Sequence, residues 1–295
     1  MERSAPIDGF SLAYDRHGPE ASGPAVVLLH GWPGDRQDWR AVTPLLAAEG
    51  RATVVVPDLR GFGASDKHPA DPTEAYAAAG QAASVLGLMH ELDLGPAIVA
   101  GYDVGSRVAQ RIAADAPDAV RALVLAPPLP GVGQRVLSEL AVREFWYQSF
   151  HRLDLAERLL DGDRAAVRAY LEHFWSHWSG PGYTPDPGEL DRLAVAYGAP
   201  GAFVASIGWY RAGSGTVARS LAERPPAPDD RIAIHTTVLW PGHDPLFPTD
   251  WSDRVDEFFS AATLRTLPDA GHFSPLEAPE EFAAAIVGAL DAGDV

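Results

Sequence analysis

Residues 101–105 read Gly-Tyr-Asp-Val-Gly, a carboxylate with a glycine two places to either side. An apolar run precedes them and a stretch with helical spacing follows. Glycines at those places let the chain turn sharply from strand to helix, which lifts the central side chain above the carboxyl end of a sheet. Taken alone, the segment reads equally well as a helix N-cap aspartate on a βα turn. Two more chemistry-bearing residues each follow a strand candidate: Asp244 in Trp-Pro-Gly-His-Asp-Pro (240–245) and His272 in Ala-Gly-His-Phe (270–273). The chain order is then nucleophile, acid, base: Asp103, Asp244, His272. A tight turn at His-Gly-Trp-Pro-Gly (30–34) can aim the Trp32 N–H at the elbow. With the N–H of Val104 it makes a two-donor oxyanion hole. A carboxylate in the nucleophile position suits displacement at saturated carbon, giving an alkyl ester on Asp103. His272, oriented by Asp244, then draws a proton from water, and the hydroxide attacks the ester carbonyl of Asp103. The loop after the second strong strand, Asp58 to Asp66, is read as structural, with Asp58 and Arg60 paired to each other.

The elements that must hold these residues are legible as runs. Residues 25–29, 51–56, 96–100 and 120–125 are continuous apolar stretches rather than strict alternations, the mark of parallel strands covered on both faces. Residues 76–92 and 106–116 carry helical spacing between them, so the pattern is βαβ. From 128 to 228 the strand signal vanishes, and the chain becomes helical and aromatic-rich; strands resume at 232–240 and 263–267, and 280–290 is an amphipathic helix. The expected fold class is α/β: a doubly wound, mostly parallel sheet with an inserted helical cap. The expected division is a first core part at 1–128, a cap at 129–228 and a second core part at 229–295.

Composition excludes much else. The chain has 295 residues and no cysteine, so thiol nucleophiles, disulfides and cysteine-ligated metals are out. Its 23 basic and 40 acidic residues give a net charge of −17, which repels phosphate backbones and anionic membranes. No nucleic-acid or membrane partner is expected. There is no apolar leader segment and no apolar run of 18 residues, so a cytoplasmic protein is expected. His173 and His177 lie four apart but lack a clear third ligand, so no metal or other cofactor is expected.

These motifs together resemble the α/β-hydrolase superfamily, in the branch that holds epoxide hydrolases and haloalkane or haloacetate dehalogenases. The resemblance runs from about Phe10 to Leu290. It rests on His30-Gly31-Trp32-Pro33-Gly34, the 58–65 loop, the 101–105 elbow and Gly271-His272-Phe273. It implies a hydrolase working through an alkyl-enzyme ester, and leaves the leaving group open. An epoxide leaves as an alkoxide and needs a proton donor. The family's epoxide hydrolases use cap tyrosines, and here Trp209-Tyr210-Arg211 and Tyr147-Gln148 resemble the stretches that carry them. Against a halide, the residue after the nucleophile is Val104, where haloalkane dehalogenases place Trp and haloacetate dehalogenases place Arg. Arg107 does match a second arginine of the haloacetate group, and Trp146 and Tyr210 match parts of its halide site, but Phe145 stands where its histidine would be.

The expectation is therefore an epoxide hydrolase taking water and a small apolar or aromatic epoxide, with Tyr210 and Tyr147 as proton donors. Phe145, Trp146, Phe150 and Trp175 are expected to line the substrate site. A hydrolytic dehalogenase is the alternative, and from another class a non-catalytic ligand-binding or pathway-accessory protein on the same fold.

Overall fold

The computed structural model describes residues 1–18 and 24–292. Eight strands form one sheet: β1 (Glu2–Arg3), β2 (Ala13–His17), β3 (Ala25–Leu29), β4 (Thr53–Pro57), β5 (Ala97–Gly101), β6 (Val120–Leu125), β7 (Thr236–Pro241) and β8 (Ala262–Leu267). Their order across the sheet is β1-β2-β4-β3-β5-β6-β7-β8. Only the pairings of β2 with β1 and with β4 are antiparallel; every pair from β4 onward is parallel. The predicted doubly wound, mostly parallel sheet is therefore present.

Every residue of β3, β4, β5 and β7 is buried, which is why they appear as unbroken apolar runs. Helices Val42–Glu49, Ala78–Glu91, Val104–Asp115 and Pro279–Asp291 accompany them. In helix Val104–Asp115, Val108, Ala109 and Ile112 are buried while Arg111 is exposed, the one-sided pattern of a helix laid on a sheet. The strand expected over 232–240 begins only at Thr236; Ile232 makes an isolated bridge to Phe259.

Between β6 and β7 the described chain adds no strand. It runs through a series of helices, including Glu139–Glu144, Trp146–His151, Asp154–Leu160, Arg164–Trp178, Pro187–Tyr197 and Gly208–Arg211. This helical layer shares the main apolar core with the sheet, through Phe174, Trp175, Trp178 and Phe203. Among the described residues, no helix is long and apolar enough to cross a membrane.

Candidate active site

Because β3, β5, β7 and β8 run parallel, the loops after them emerge on one edge of the sheet. Asp103 lies two residues past β5 and starts helix Val104–Asp115. Its backbone sits at φ 49° and ψ −123°, outside the left-handed helical region and costly for any non-glycine residue. The neighbouring glycines allow the turn. A Cβ on Gly101 would fall 2.5 Å from the Gly105 carbonyl oxygen, and one on Gly105 would drive into the Leu29 carbonyl. Helix and strands thus approach closely enough for Asp103 to project over the sheet edge.

The structure brings Asp103, Asp244 and His272 together. His272 Nδ1 lies 3.0 Å from Asp244 Oδ2, and Asp244 Oδ1 accepts the Leu246 N–H at 2.8 Å. His272 Nε2 faces Asp103 Oδ2 at 3.6 Å and has no hydrogen-bond partner. Asp103 Oδ1 accepts the Trp32 N–H at 2.7 Å. Val104 is the first residue of its helix, so its N–H is among those with no partner inside the helix. The two carboxylate oxygens of Asp103 are therefore distinct. One is held by a backbone donor, and the other faces the imidazole.

His272 is fully buried, which by itself disfavours its charged form. The flanking carboxylates Asp244 and Asp103 outweigh that cost and raise its pKa to about 10. An imidazolium between two carboxylates follows. A raised folded-state pKa adds stability that is complete below the free value of 6.5 and lost as pH climbs through about 10. The thermal midpoint of the wild type should thus lose ground to that of His272→Gln between pH 6.5 and 10. A pH-independent gap between the two midpoints would refute the imidazolium.

The cap closes over this group. A cavity is lined by Asp103, Val104, Phe145, Tyr147, Tyr210 and Phe247, with Arg107, Gln148 and Ser220 also on its wall. Tyr147 and Tyr210 pack edge to face with ring centres 5.6 Å apart. Burial pushes both phenols above their ordinary value; for Tyr147 the next cause is the Asp103 charge, and for Tyr210 it is Tyr147 followed by Asp103. Both therefore stay protonated across any working pH.

The cap aromatics need correction. Of the four expected to line the substrate site, only Phe145 lines this cavity. Trp146 is 42% exposed and borders a separate surface pocket with His173 and His177. Phe150 packs on Trp146 and Tyr170, outside the cavity. Trp175 stacks on Phe273 at 3.9 Å and donates its indole N–H to the Pro33 carbonyl, so it joins cap to core. The expected Asp58–Arg60 pair is also absent: Asp58 binds Arg36 at 2.6 Å, and Arg60 reaches Asp8 and Ser84. Both remain structural. Ser106 is buried in the helix against Pro128 and Gln110 and does not line the cavity.

Sequence reasoning missed Trp209, Phe247, Gln148 and Ser220 on the cavity wall. Trp209 and Phe247 had a signal, since they lie beside Tyr210 and just after Asp244. It also missed Glu277, whose carboxylate accepts the N–H groups of Gly180, Gly271 and Phe273 at 2.7–3.0 Å. Among the described residues, no three His, Asp or Glu side chains are arranged to hold a metal.

A family model described as alpha/beta hydrolase fold matches residues 24–279. A fluoroacetate dehalogenase from Burkholderia sp. is 32% identical over 200 residues, 66% of this chain and 64% of that one; this chain thus spans a little under two thirds of that relative. A soluble epoxide hydrolase from Corynebacterium sp. (strain C12) is 28% identical over 286 residues, 94% of this chain and 92% of its own length. A solved epoxide hydrolase structure without ligand superposes with a TM-score of 0.83 at 26% identity, covering 99% of this chain and 98% of that one.

Proposed function

Because the chain belongs to the α/β-hydrolase fold family, we propose that it opens an epoxide to a vicinal diol through an ester on Asp103. One observation carries this reading. Two buried, protonated phenols, Tyr147 and Tyr210, share a cavity with a carboxylate that has one oxygen unclaimed by a backbone donor. A strained ether needs that pairing: a nucleophile at carbon and an acid at oxygen.

Asp103 Oδ2 attacks the epoxide carbon, the C–O bond breaks, and the emerging alkoxide takes a proton from a cap tyrosine. The His272 imidazolium makes up that proton. Once Asp103 is an ester it is neutral, so one of the two charges that held the proton on His272 is gone. The imidazole then takes a proton from water. Hydroxide attacks Asp103 Cγ, and negative charge builds on Oδ1, where the Trp32 N–H already points. Collapse breaks the Cγ–Oδ2 bond, the departing alkoxide takes the proton of the new carboxyl group, and the diol leaves as the carboxylate is restored with one oxygen from water. The apolar part of the cavity wall, Val104, Phe145, Trp209 and Phe247, suits an alkyl or aryl substituent.

The names of the relatives include both an epoxide hydrolase and a fluoroacetate dehalogenase. For the second reading, Arg107 lies on the cavity wall, but its guanidinium is engaged by Glu223 at 3.1 Å and by Gln110. A halide needs no proton to leave, so the tyrosines separate the two. With styrene oxide as substrate, Tyr147→Phe and Tyr210→Phe should each slow diol formation about 10- to 100-fold, and the double variant about 10³-fold. Halide release from chloro- or fluoroacetate should be undetectable in the wild type. Faster halide release than epoxide opening, or a double variant that opens styrene oxide at the wild-type rate, would overturn the proposal.

A further inference from the structure

The segment 30–40 after β3 carries the Trp32 N–H, and the elbow grips it at two points. Trp32 N donates to Asp103 Oδ1, and the Tyr102 hydroxyl donates to Asp38 Oδ2 at 2.6 Å. Besides the Arg40–Glu189 pair and ring contacts to Trp32, cap side chains hold residues 33–35 of the segment by hydrogen bonds at three positions. Trp175 Nε1 donates to the Pro33 carbonyl at 3.0 Å, and the Tyr197 hydroxyl to the Gly34 carbonyl at 2.6 Å. Arg192 forks onto Asp35, with Nη1 to Oδ2 at 2.6 Å and Nη2 to Oδ1 at 2.9 Å. Asp35 is 1% exposed, and its Oδ1 also accepts the Gln37 N–H, so it fixes the turn that follows Trp32. The three cap contacts fall on three consecutive residues, beginning one place after the oxyanion-hole donor.

We infer that Arg192, with Tyr197, is a positioning residue that holds the Trp32 N–H on Asp103 Oδ1 by clamping the 33–35 backbone to the cap. Neither side chain lines the cavity. They act through the backbone of a segment whose N–H must sit within a few tenths of an ångström of the developing oxyanion. The bidentate Arg–carboxylate fork fixes orientation as well as distance, which a single lysine ammonium does not. Burial opposes the charge on Asp35, yet the Arg192 fork keeps its carboxyl below the usual range, so the clamp is an ion pair.

The inference rests on the proposed ester mechanism and makes a kinetic distinction within it. Ester formation uses Oδ2, and the attacking electrons do not lie on the oxygen that Trp32 holds. Ester hydrolysis places a full negative charge on Oδ1. Loosening the clamp should therefore slow the second step and spare the first.

The test is rapid-quench intact-mass measurement on the full chain with styrene oxide, comparing wild type, Arg192→Met, Arg192→Lys and Tyr197→Phe. Removing an oxyanion donor outright costs about 10²–10³-fold, so a displaced one should cost less: about 10- to 30-fold in ester decay for Arg192→Met. Ester formation should change by less than about threefold by the same logic. In the steady state kcat and KM should fall together with kcat/KM unchanged. Arg192→Lys should recover part of the loss. Tyr197→Phe, which removes a single hydroxyl and keeps the ring, should show the same pattern more weakly.

Equal slowing of both steps, or normal ester decay in a folded Arg192→Met protein, would overturn the clamp. An ester absent from every variant and also from His272→Gln would instead overturn the mechanism beneath it.

Discussion

Asp103→Asn is expected to give a folded protein whose epoxide turnover is down by about 10⁵- to 10⁶-fold, the scale of losing a nucleophile that works as a unit with its base. The fold should survive for local reasons. Asn has the shape of Asp, so it meets the same backbone cost at φ 49°. Its amide oxygen can still accept the Trp32 N–H, and its NH₂ can face His272 Nε2, which now lacks a partner. Far-ultraviolet circular dichroism and the thermal midpoint should stay close to wild type. The companion measurement is one turnover of the wild type in ¹⁸O water with enzyme in excess over styrene oxide. The first diol should carry no label, because its new oxygen was Asp103 Oδ2, and the label should sit in the Asp103 peptide. Labelled diol from the first turnover, or an Asn variant retaining a hundredth of the activity, would remove Asp103 from the nucleophile role.

The second large effect belongs to His272. Its Nε2 points at Asp103 Oδ2, and its Nδ1 is anchored on Asp244. Glutamine in its place fills similar space but cannot take a proton from water. Turnover of styrene oxide by His272→Gln should fall about 10²- to 10⁴-fold, the span of general base catalysis. Alkylation should persist, so the intact mass should rise by one styrene oxide and stay there. The hydroxyalkyl group on Asp103 also reports the substrate class, since a haloacid would leave a carboxymethyl group in its place. Turnover at the wild-type rate would show that hydrolysis does not use this imidazole. A folded variant that never gains mass would indicate that Asp103 is not alkylated at all.

How much of this was readable beforehand depends on range. The inner parallel strands were legible because burial on both faces leaves little polar in them: β3 is Ala-Val-Val-Leu-Leu and β4 is Thr-Val-Val-Val-Pro. The antiparallel edge was not. Glu2–Arg3 is two exposed residues, and Ala13–His17 reads Ala-Tyr-Asp-Arg-His, polar along its outer half. Asp103, Asp244 and His272 could be placed because each follows a strand through a glycine-marked turn, and parallel strands send those turns to one edge. The cap aromatics could not be sorted. Helical spacing tells which side chains share a face, but not what that face meets. Trp146 and Trp175 are both cap tryptophans, yet one is exposed and the other stacks on Phe273. The pairing of Asp35 with Arg192 spans 157 residues and has no local signature.

Glu277 gives the site a further property. Its two oxygens hold the N–H groups of Gly271 and Phe273, on either side of His272, and of Gly180, just past helix Arg164–Trp178. The His272 N–H in turn donates to the Trp178 carbonyl at 2.8 Å. The base is therefore tied to the helical layer as well as to the sheet. Lifting that layer as a hinged lid would break two backbone hydrogen bonds at the His272 loop, Gly180 N–H to Glu277 and His272 N–H to the Trp178 carbonyl, one of them to a carboxylate. The entropy of aligning the imidazole is lost once, at folding, and no turnover has to repeat that search.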